Sequence, residues 1–302
     1  MHLDVMSGAD EAAKELNALL NGLIILNSNS GEPWICEAFH SALNTMSRKM
    51  GLRKFVDCLH KRWLTDTCVV LPAVHLCNTL SMRRTGFTTL LHAIMVNDYR
   101  NGHELRKISR TIFANSARFM IDYFRSNYHA VLPGSENAKR SRKDIPIASA
   151  NVSASSMTSS SPQANTVQSL KYRFPLVTSE NGEEYEMNPL IEELIDPIFH
   201  YLSLLIDGTA SRPEFVLFHH ALSTLGYIFQ GLNPQRMHQL SLQLRQSIVD
   251  NAKQPLDRAI LLESIELMIN KWKDNEQDED VRHFYAKFKT QYDSCASWHN
   301  IG

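Results

Sequence analysis

Residues 213–273, PEFVLFHHALSTLGYIFQGLNPQRMHQLSLQLRQSIVDNAKQPLDRAILLESIELMINKWK, constrain the fold most, because they encode three successive helices together with their starts and stops. Ser211 and Pro213 open the first, Gly231 suits a left-handed C-terminal position, Asn233 and Pro234 open the second, and Pro255 opens the third. In the third, Leu261, Ile265, Met268 and Trp272 recur at helical spacing, and Leu262 and Ile269 widen the stripe. Asp257 in its first turn and Lys271 and Lys273 in its last suit the helix dipole. Met237, Leu240, Leu244 and Ile248 form the equivalent face of the second. Three amphipathic helices joined by tight turns must fold back on one another, since only a neighbour can cover each apolar face.

The same pattern recurs upstream. Ser7 can cap a helix with Leu16, Leu19, Leu20, Leu23 and Ile24 on one face, stopped by NSNSGEP at 27–33. Pro33 begins a helix carrying Ile35, Phe39, Ala42, Leu43, Met46 and Met50; Gly51 closes it, and Phe55, Val56, Leu59 and Trp63 mark the next. Pro72 begins a fourth with Val74, Cys77, Asn78 and Leu80 or Ser81 inward, and 86–99 a fifth with Phe87, Leu90, Leu91, Ile94 and Met95. The spacing then predicts one long helix over 103–128, with Leu105, Ile108, Ile112, Phe119 and Tyr123 inward. Lys107, Arg118 and Arg125 align on its outer side, with Arg110 beside them, because spacings of 11 and 7 residues return to nearly the same angle.

From Leu132 the periodicity dissolves into Ser, Ala and Asn, a composition too poor in large apolar residues to offset its ordering entropy. Helices resume at Asn188-Pro189 with Leu190, Leu194, Ile198, Tyr201, Leu202 and Leu205 inward, and Pro197 kinks or restarts this one. An acidic loop, DNEQDED at 274–280, precedes a last helix with Phe284, Tyr285 and Phe288. No strand pattern of any length is found. The expected fold is all-α: about ten helices in antiparallel pairs, as in HEAT or armadillo arrays, with one long disordered insertion. The expected organisation is an N-terminal helix at 1–33, a first half of the helical domain at 34–131, a disordered Ser-rich insertion at 132–187 and a second half at 188–302.

Charge divides these halves. Residues 34–128 hold 14 Lys+Arg against 6 Asp+Glu, whereas 175–302 hold 10 against 19, which suits a polyanion-facing half and a half facing a basic partner. Candidates for polyanion or RNA contact are Lys107, Arg110, Arg118 and Arg125, and in the insertion Lys139, Arg140, Arg142 and Lys143, a run that also suits nuclear import. Ser153, Ser155, Ser156, Ser159, Ser160 and Ser161 are candidate phosphorylation sites. Candidates for a basic partner are Asp274, Glu276, Asp278, Glu279 and Asp280. Arg236 and Glu266 are a candidate inter-helix pair, while Met237, Leu262, Trp272, Phe284 and Tyr285 belong with the core.

Five scattered cysteines argue for a reducing compartment, and Leu16–Leu26 lacks the basic start of a signal peptide, so a protein of the cytoplasm, the nucleus or both, with no membrane span, is expected, the cytoplasm first. His75-x-Cys77, Cys58-x-His60 and His219-His220 lack the paired spacing of a zinc site. There is no G-x-S-x-G, H-E-x-x-H or phosphate-cradling glycine loop, and Glu263 and Glu266 sit beside a leucine-rich face rather than facing each other as an acid–base couple. No catalytic residue, metal or cofactor is expected, and the chain reads as a binding protein rather than an enzyme.

Three blocks resemble a known family. Leu222, Leu225, Gly226, Arg236-Met237, Leu240, Leu244-Arg245, Arg258, Leu261-Leu262-Glu263, Ile265-Glu266-Leu267 and Trp272 resemble the last helices of the middle domain of eukaryotic initiation factor 4G. Leu76-Cys77-Asn78 with Leu80-Ser81, then a helix ending at Tyr123-Phe124, is similar to its centre, and Leu194-Ile195-Asp196-Pro197-Ile198 to the helix that follows. The blocks cover roughly 35–130 and 188–290 in the family's order, and resemble its small stand-alone members most, including the partner of the histone stem-loop-binding protein. The resemblance implies a crescent of five HEAT-like helix pairs. It also implies a translation regulator that binds RNA, an mRNA-end-binding protein and initiation factors or a DEAD-box helicase; a second copy of the chain is a further candidate partner, on no ground of the resemblance. On this basis it would promote translation, of histone mRNAs in the narrowest case. The first helices match poorly, the insertion is longer than in small members, and SWHNIG stands where one relative carries an acidic tail. A direct RNA-binding module and a generic helical scaffold in another complex are the alternatives.

Overall fold

The structure, a computed structural model, describes residues 11, 13–22, 45, 48–83, 86–128, 176–178, 184–186, 189–272, 279–281 and 283–285. The described residues include the helices α1 (13–22), α2 (Leu52–Thr65), α3 (Val70–Arg83), α4 (Phe87–Arg100), α5 (Gly102–Ile108), α6 (Arg110–Asn127), α7 (Pro189–Glu192), α8 (Ile195–Leu204), α9 (Arg212–Leu232), α10 (Pro234–Asp250) and α11 (Pro255–Ile269), with further helical residues at 48–50, 279–281 and 283–285. The protein is all-α, of the helical-repeat kind.

Helix α6 is the centre of this array, packing against α2, α3, α4, α5, α8 and α9. From Phe113 to Phe124 every residue except Arg118 is buried, so the helix has almost no solvent face. Trp63 of α2 stacks on Phe119 with centroids 4.0 Å apart, and Phe124 meets Phe229 of α9 at 5.5 Å. Each such ring removed from water contributes about 1.5–3 kcal/mol. The single helix expected over 103–128 is in fact two. Ser109 is extended (φ −160°, ψ 129°), and its hydroxyl accepts from the Ile112 amide, capping α6. Ile108 is consequently 73% exposed instead of continuing the stripe.

Capping and proline placement account for most other boundaries. Asp66 accepts from the Cys68 amide to open the turn Thr67–Val69 that leads into α3. Pro197 falls in the first turn of α8, and α7 ends before it, so the chain restarts there. Asn233 accepts from the Arg236 amide and Pro234 follows it, opening α10. Gly231 lies inside the last turn of α9, not beyond it, because Asn233 closes α9 and opens α10 together.

α9 packs on α11, and both pack on α10. Met237, Leu240 and Leu244 are buried as their spacing predicts. The face of α11 is rotated from the expected one: Ala259, Ile260, Leu261, Glu263, Ser264 and Leu267 are buried, whereas Leu262 and Ile269 are exposed. The reason lies at the helix end. α11 stops at Ile269, Lys271 turns left-handed (φ 51°), and Trp272 N–H donates to the Leu267 carbonyl while Lys271 N–H donates to Met268, a Schellman closure. Trp272 thus leaves the helical phase and lays its ring on Gly226 of α9, where an added Cβ would stand 2.1 Å from the indole. Tyr285 is buried, but Phe284 is exposed, contrary to its placement with the core.

The helices α1–α6 and α8–α11 belong to one compact unit. A second contains an antiparallel hairpin, β1 (Leu176–Thr178) and β2 (Glu184–Glu186), in the register Leu176↔Glu186, Val177↔Tyr185, Thr178↔Glu184. This pair departs from the strand-free reading. Each strand has three residues, below the length at which alternation is legible, and Asn181-Gly182 between them is a hairpin signal. The rest of the expected disordered insertion, with Lys139, Arg140, Arg142, Lys143 and its serines, lies outside the described residues.

Candidate functional site

The break at Ser109 redistributes the cations expected on one face. Lys107 belongs to α5 and pairs with Glu104 in solvent. Arg110 opens α6 and donates to Glu214 at 2.8 Å and to the Thr209 carbonyl at 2.8 Å. Arg118 lies 3.4 Å from Asp122, one turn on, and is half-buried. Arg125 is exposed in the last turn, where a cation suits the dipole. There is therefore no continuous basic face through Lys107, Arg110, Arg118 and Arg125.

The cation that sequence spacing passed over is Arg106. Its side chain is 8% exposed, donates through Nε to Glu214 at 2.7 Å and through Nη1 to Asp207 at 2.6 Å, and lies 5.0 Å over the Phe113 ring. Glu214, 1% exposed, also accepts from the Ser211 amide and hydroxyl, each at 2.6 Å. Burial alone would raise the Asp207 carboxyl, but the Thr209 amide and Arg106 outweigh it and hold it below the usual range. The legible part was Ser211-x-x-Glu214, a capping-box spacing; the arginine, 108 residues away, was not.

Other buried polar groups on α6 and its neighbours are likewise paired across helices. Asp98 meets His60 at 2.7 Å and accepts from Ser116 at 3.4 Å, and Ser116 is 2.9 Å from the Tyr201 hydroxyl. Asn115 donates to the Leu64 carbonyl at 3.0 Å. These contacts fix α6 against α2, α4 and α8. Not every buried atom is paired: Asn115 Oδ1, Trp63 Nε1, Arg106 Nη2 and both ring nitrogens of His92 are buried without a hydrogen-bond partner among the described residues, and burial lowers the His92 pKa to about 4.

A polar cleft of about 310 Å3 opens where α4, α8 and α10 meet, lined by Tyr99, Asp196, Phe199, His200, Ser203, Arg236, Gln239, Leu240 and Gln243. Arg236 pairs with Asp196, not with Glu266 as expected, and its guanidinium sits 4.8 Å over the buried Phe199 ring. The His200 ring meets Tyr99 edge-on at 5.3 Å and His103 at 6.0 Å. Burial, then His103 and then Arg236, lower the His200 pKa, so its ring is neutral near pH 7. Gln239 and Gln243 are exposed one turn apart on α10. That i, i+4 pair carries no apolar signal in the sequence, which is why helical periodicity does not single it out.

Among the acidic candidates, Glu279 and Asp280 are exposed and helical, while Asp274, Glu276 and Asp278 lie outside the described residues. Among the described residues no group of three or more His, Cys, Asp or Glu is placed to hold a metal, and no helix is long and apolar enough to cross a membrane. No known family model matches the chain, and no curated protein matches it either.

Proposed function

We propose that the chain is a translation-regulating adaptor, which acts by binding rather than catalysis. Its helical array would hold an mRNA-end-binding protein together with initiation factors or a DEAD-box helicase, and so promote translation, of histone mRNAs in the narrowest form. Cytoplasm is its expected place, with the nucleus as a second. The observation that carries this reading is the order and spacing of the three blocks at 76–81, 194–198 and 222–272, which resemble the initiation factor 4G middle domain. The all-α array is compatible with it, since such scaffolds work by presenting a long surface to partners. Most residues of those blocks are core, so the likeness bears on the scaffold more directly than on any partner. The deciding experiment is a pull-down from cytosol with the full tagged chain. Initiation factors, a helicase or an mRNA-end-binding protein are the expected catch, and recovery of none of them would sink the reading.

A direct RNA-binding module is favoured by one observation: Arg48, Lys49, Arg53 and Lys54 are all exposed at the entrance to α2. Phosphate contacts would weaken steeply as salt rises. Absence of RNA binding at low salt would end this alternative.

A further inference from the structure

The cleft between α4, α8 and α10 contains an arginine that is fixed on one side and replaceable on the other. The Arg236 guanidinium lies over the Phe199 ring, 4.8 Å from its centroid, while the carboxylate paired with it, Asp196, has a side chain 81% exposed. An ion pair so open to water contributes little to stability, so an incoming carboxylate can displace Asp196 with little net loss. Beside it, Gln239 and Gln243 project from the same helix one turn apart. Each amide carries donors and an acceptor, and side chains at this spacing are neighbours on the helix surface, an arrangement that matches the alternating N–H and C=O groups of a polypeptide. Neutral His200 and Tyr99 supply the aromatic wall.

We propose that this cleft binds a linear segment of a partner protein through one Asp or Glu side chain. That carboxylate replaces Asp196 on Arg236, and Gln239 and Gln243 hold the backbone on either side of it. The volume, about 310 Å3, accommodates a short stretch of side chains rather than a folded surface. A nucleic-acid strand fits less well. Arg236 is the one permanent cation among the lining residues, with Asp196 beside it, whereas a phosphate chain is held by several cations at once. The inference deepens the adaptor reading, and rests on it only in taking a protein as the partner.

The test uses the purified full chain and a phage-displayed library of random dodecapeptides, the best binder then being synthesised with fluorescein for anisotropy. The enriched sequences are expected to share an Asp or Glu, whose change to the amide weakens binding about tenfold. Asp196→Asn, which removes the internal competitor, tightens binding about threefold. The double variant Gln239→Ala/Gln243→Ala, on exposed positions that leave the fold intact, weakens it about fivefold, and Arg236→Met abolishes it. The proposal is overturned if no acidic sequence is enriched, or if the bound peptide is indifferent to Asp196→Asn and to the glutamine variants. It is equally overturned if an oligouridylate binds the wild type and is released by Arg236→Met and by salt, which assigns the cleft to RNA. Because random peptides are used, panning and the cytosolic pull-down fail separately: a peptide hit without translation factors keeps the cleft and removes translation, and the converse keeps translation and removes the cleft.

Discussion

Among the arginine–carboxylate pairs that tie helices of this protein together, Arg106–Glu214 and Arg236–Asp196 differ most in what surrounds them. Arg106 and Glu214 join α5 to α9 with side chains 8% and 1% exposed, and Glu214 has further bonds from Ser211 and Arg110. Arg236 and Asp196 join α10 to α8 with side chains 34% and 81% exposed. The chemistry is the same, but in the first pair neither ion can return to water unless the helices part. In the second the carboxylate is already hydrated. Burial makes one pair a lock and leaves the other an exchangeable contact.

The largest effect should follow from breaking the lock. Glu214→Gln leaves Arg106 only Asp207 as a counter-charge and is expected to lower the unfolding free energy by about 3–4 kcal/mol, the lower part of the range for breaking a buried ion pair. Urea denaturation of the variant beside the wild type measures it. A loss below roughly 1 kcal/mol would place this pair with the surface ion pairs.

A buried group with no partner sharpens the same contrast. His92 is 5% exposed, and burial depresses its pKa from 6.5 to about 4. The folded state therefore disfavours the proton that the unfolded chain accepts. Its contribution is fully present above pH 6.5 and is lost as pH falls from 6.5 towards 4, a change of roughly 3 kcal/mol. Denaturation curves at several pH values should show that increment in the wild type and lose it in His92→Leu.

An apolar lock of the same two-helix kind closes α9 on the chain leaving α11. Gly226→Ala would place a methyl 2.1 Å from the Trp272 ring, closer than carbon atoms approach, so the indole must move. The expected destabilisation is about 1–3 kcal/mol, typical of overpacking, with a red shift in tryptophan emission as Trp272 gains water. An unshifted spectrum with wild-type stability would mean that the ring is not seated there.

Sequence periodicity reached these regions unequally. Phe55, Val56, Leu59 and Trp63, and Met237, Leu240 and Leu244, are buried as their spacing predicts, because an apolar stripe reports local geometry directly. Ser109 defeated it: a serine is equally at home as a cap or in a helix, and Ile108 kept the apolar phase running through a break. On α11 the buried face includes Glu263 and Ser264, polar residues that meet His219 of α9, so an apolar count pointed to the wrong side. Pairings such as Arg106 with Glu214, or Arg236 with Asp196 rather than Glu266, join residues far apart in the chain and leave no local trace. The cleft belongs to this illegible class, since three separate helices build it.

The smallest effect is expected at Arg236, and it separates stability from binding. Arg236→Met keeps an unbranched apolar stem over Phe199 but deletes the charge facing Asp196. With Asp196 already in water, no ion is stranded, so the unfolding free energy should fall by less than about 1 kcal/mol. The comparison with Glu214→Gln is internal to one protein and one pair type, which removes differences of fold and solvent from it. A loss at Arg236 as large as that at Glu214 would show that the pair is a second lock, one whose carboxylate is not available for exchange, and the cleft would then lose the feature that makes it a binding site.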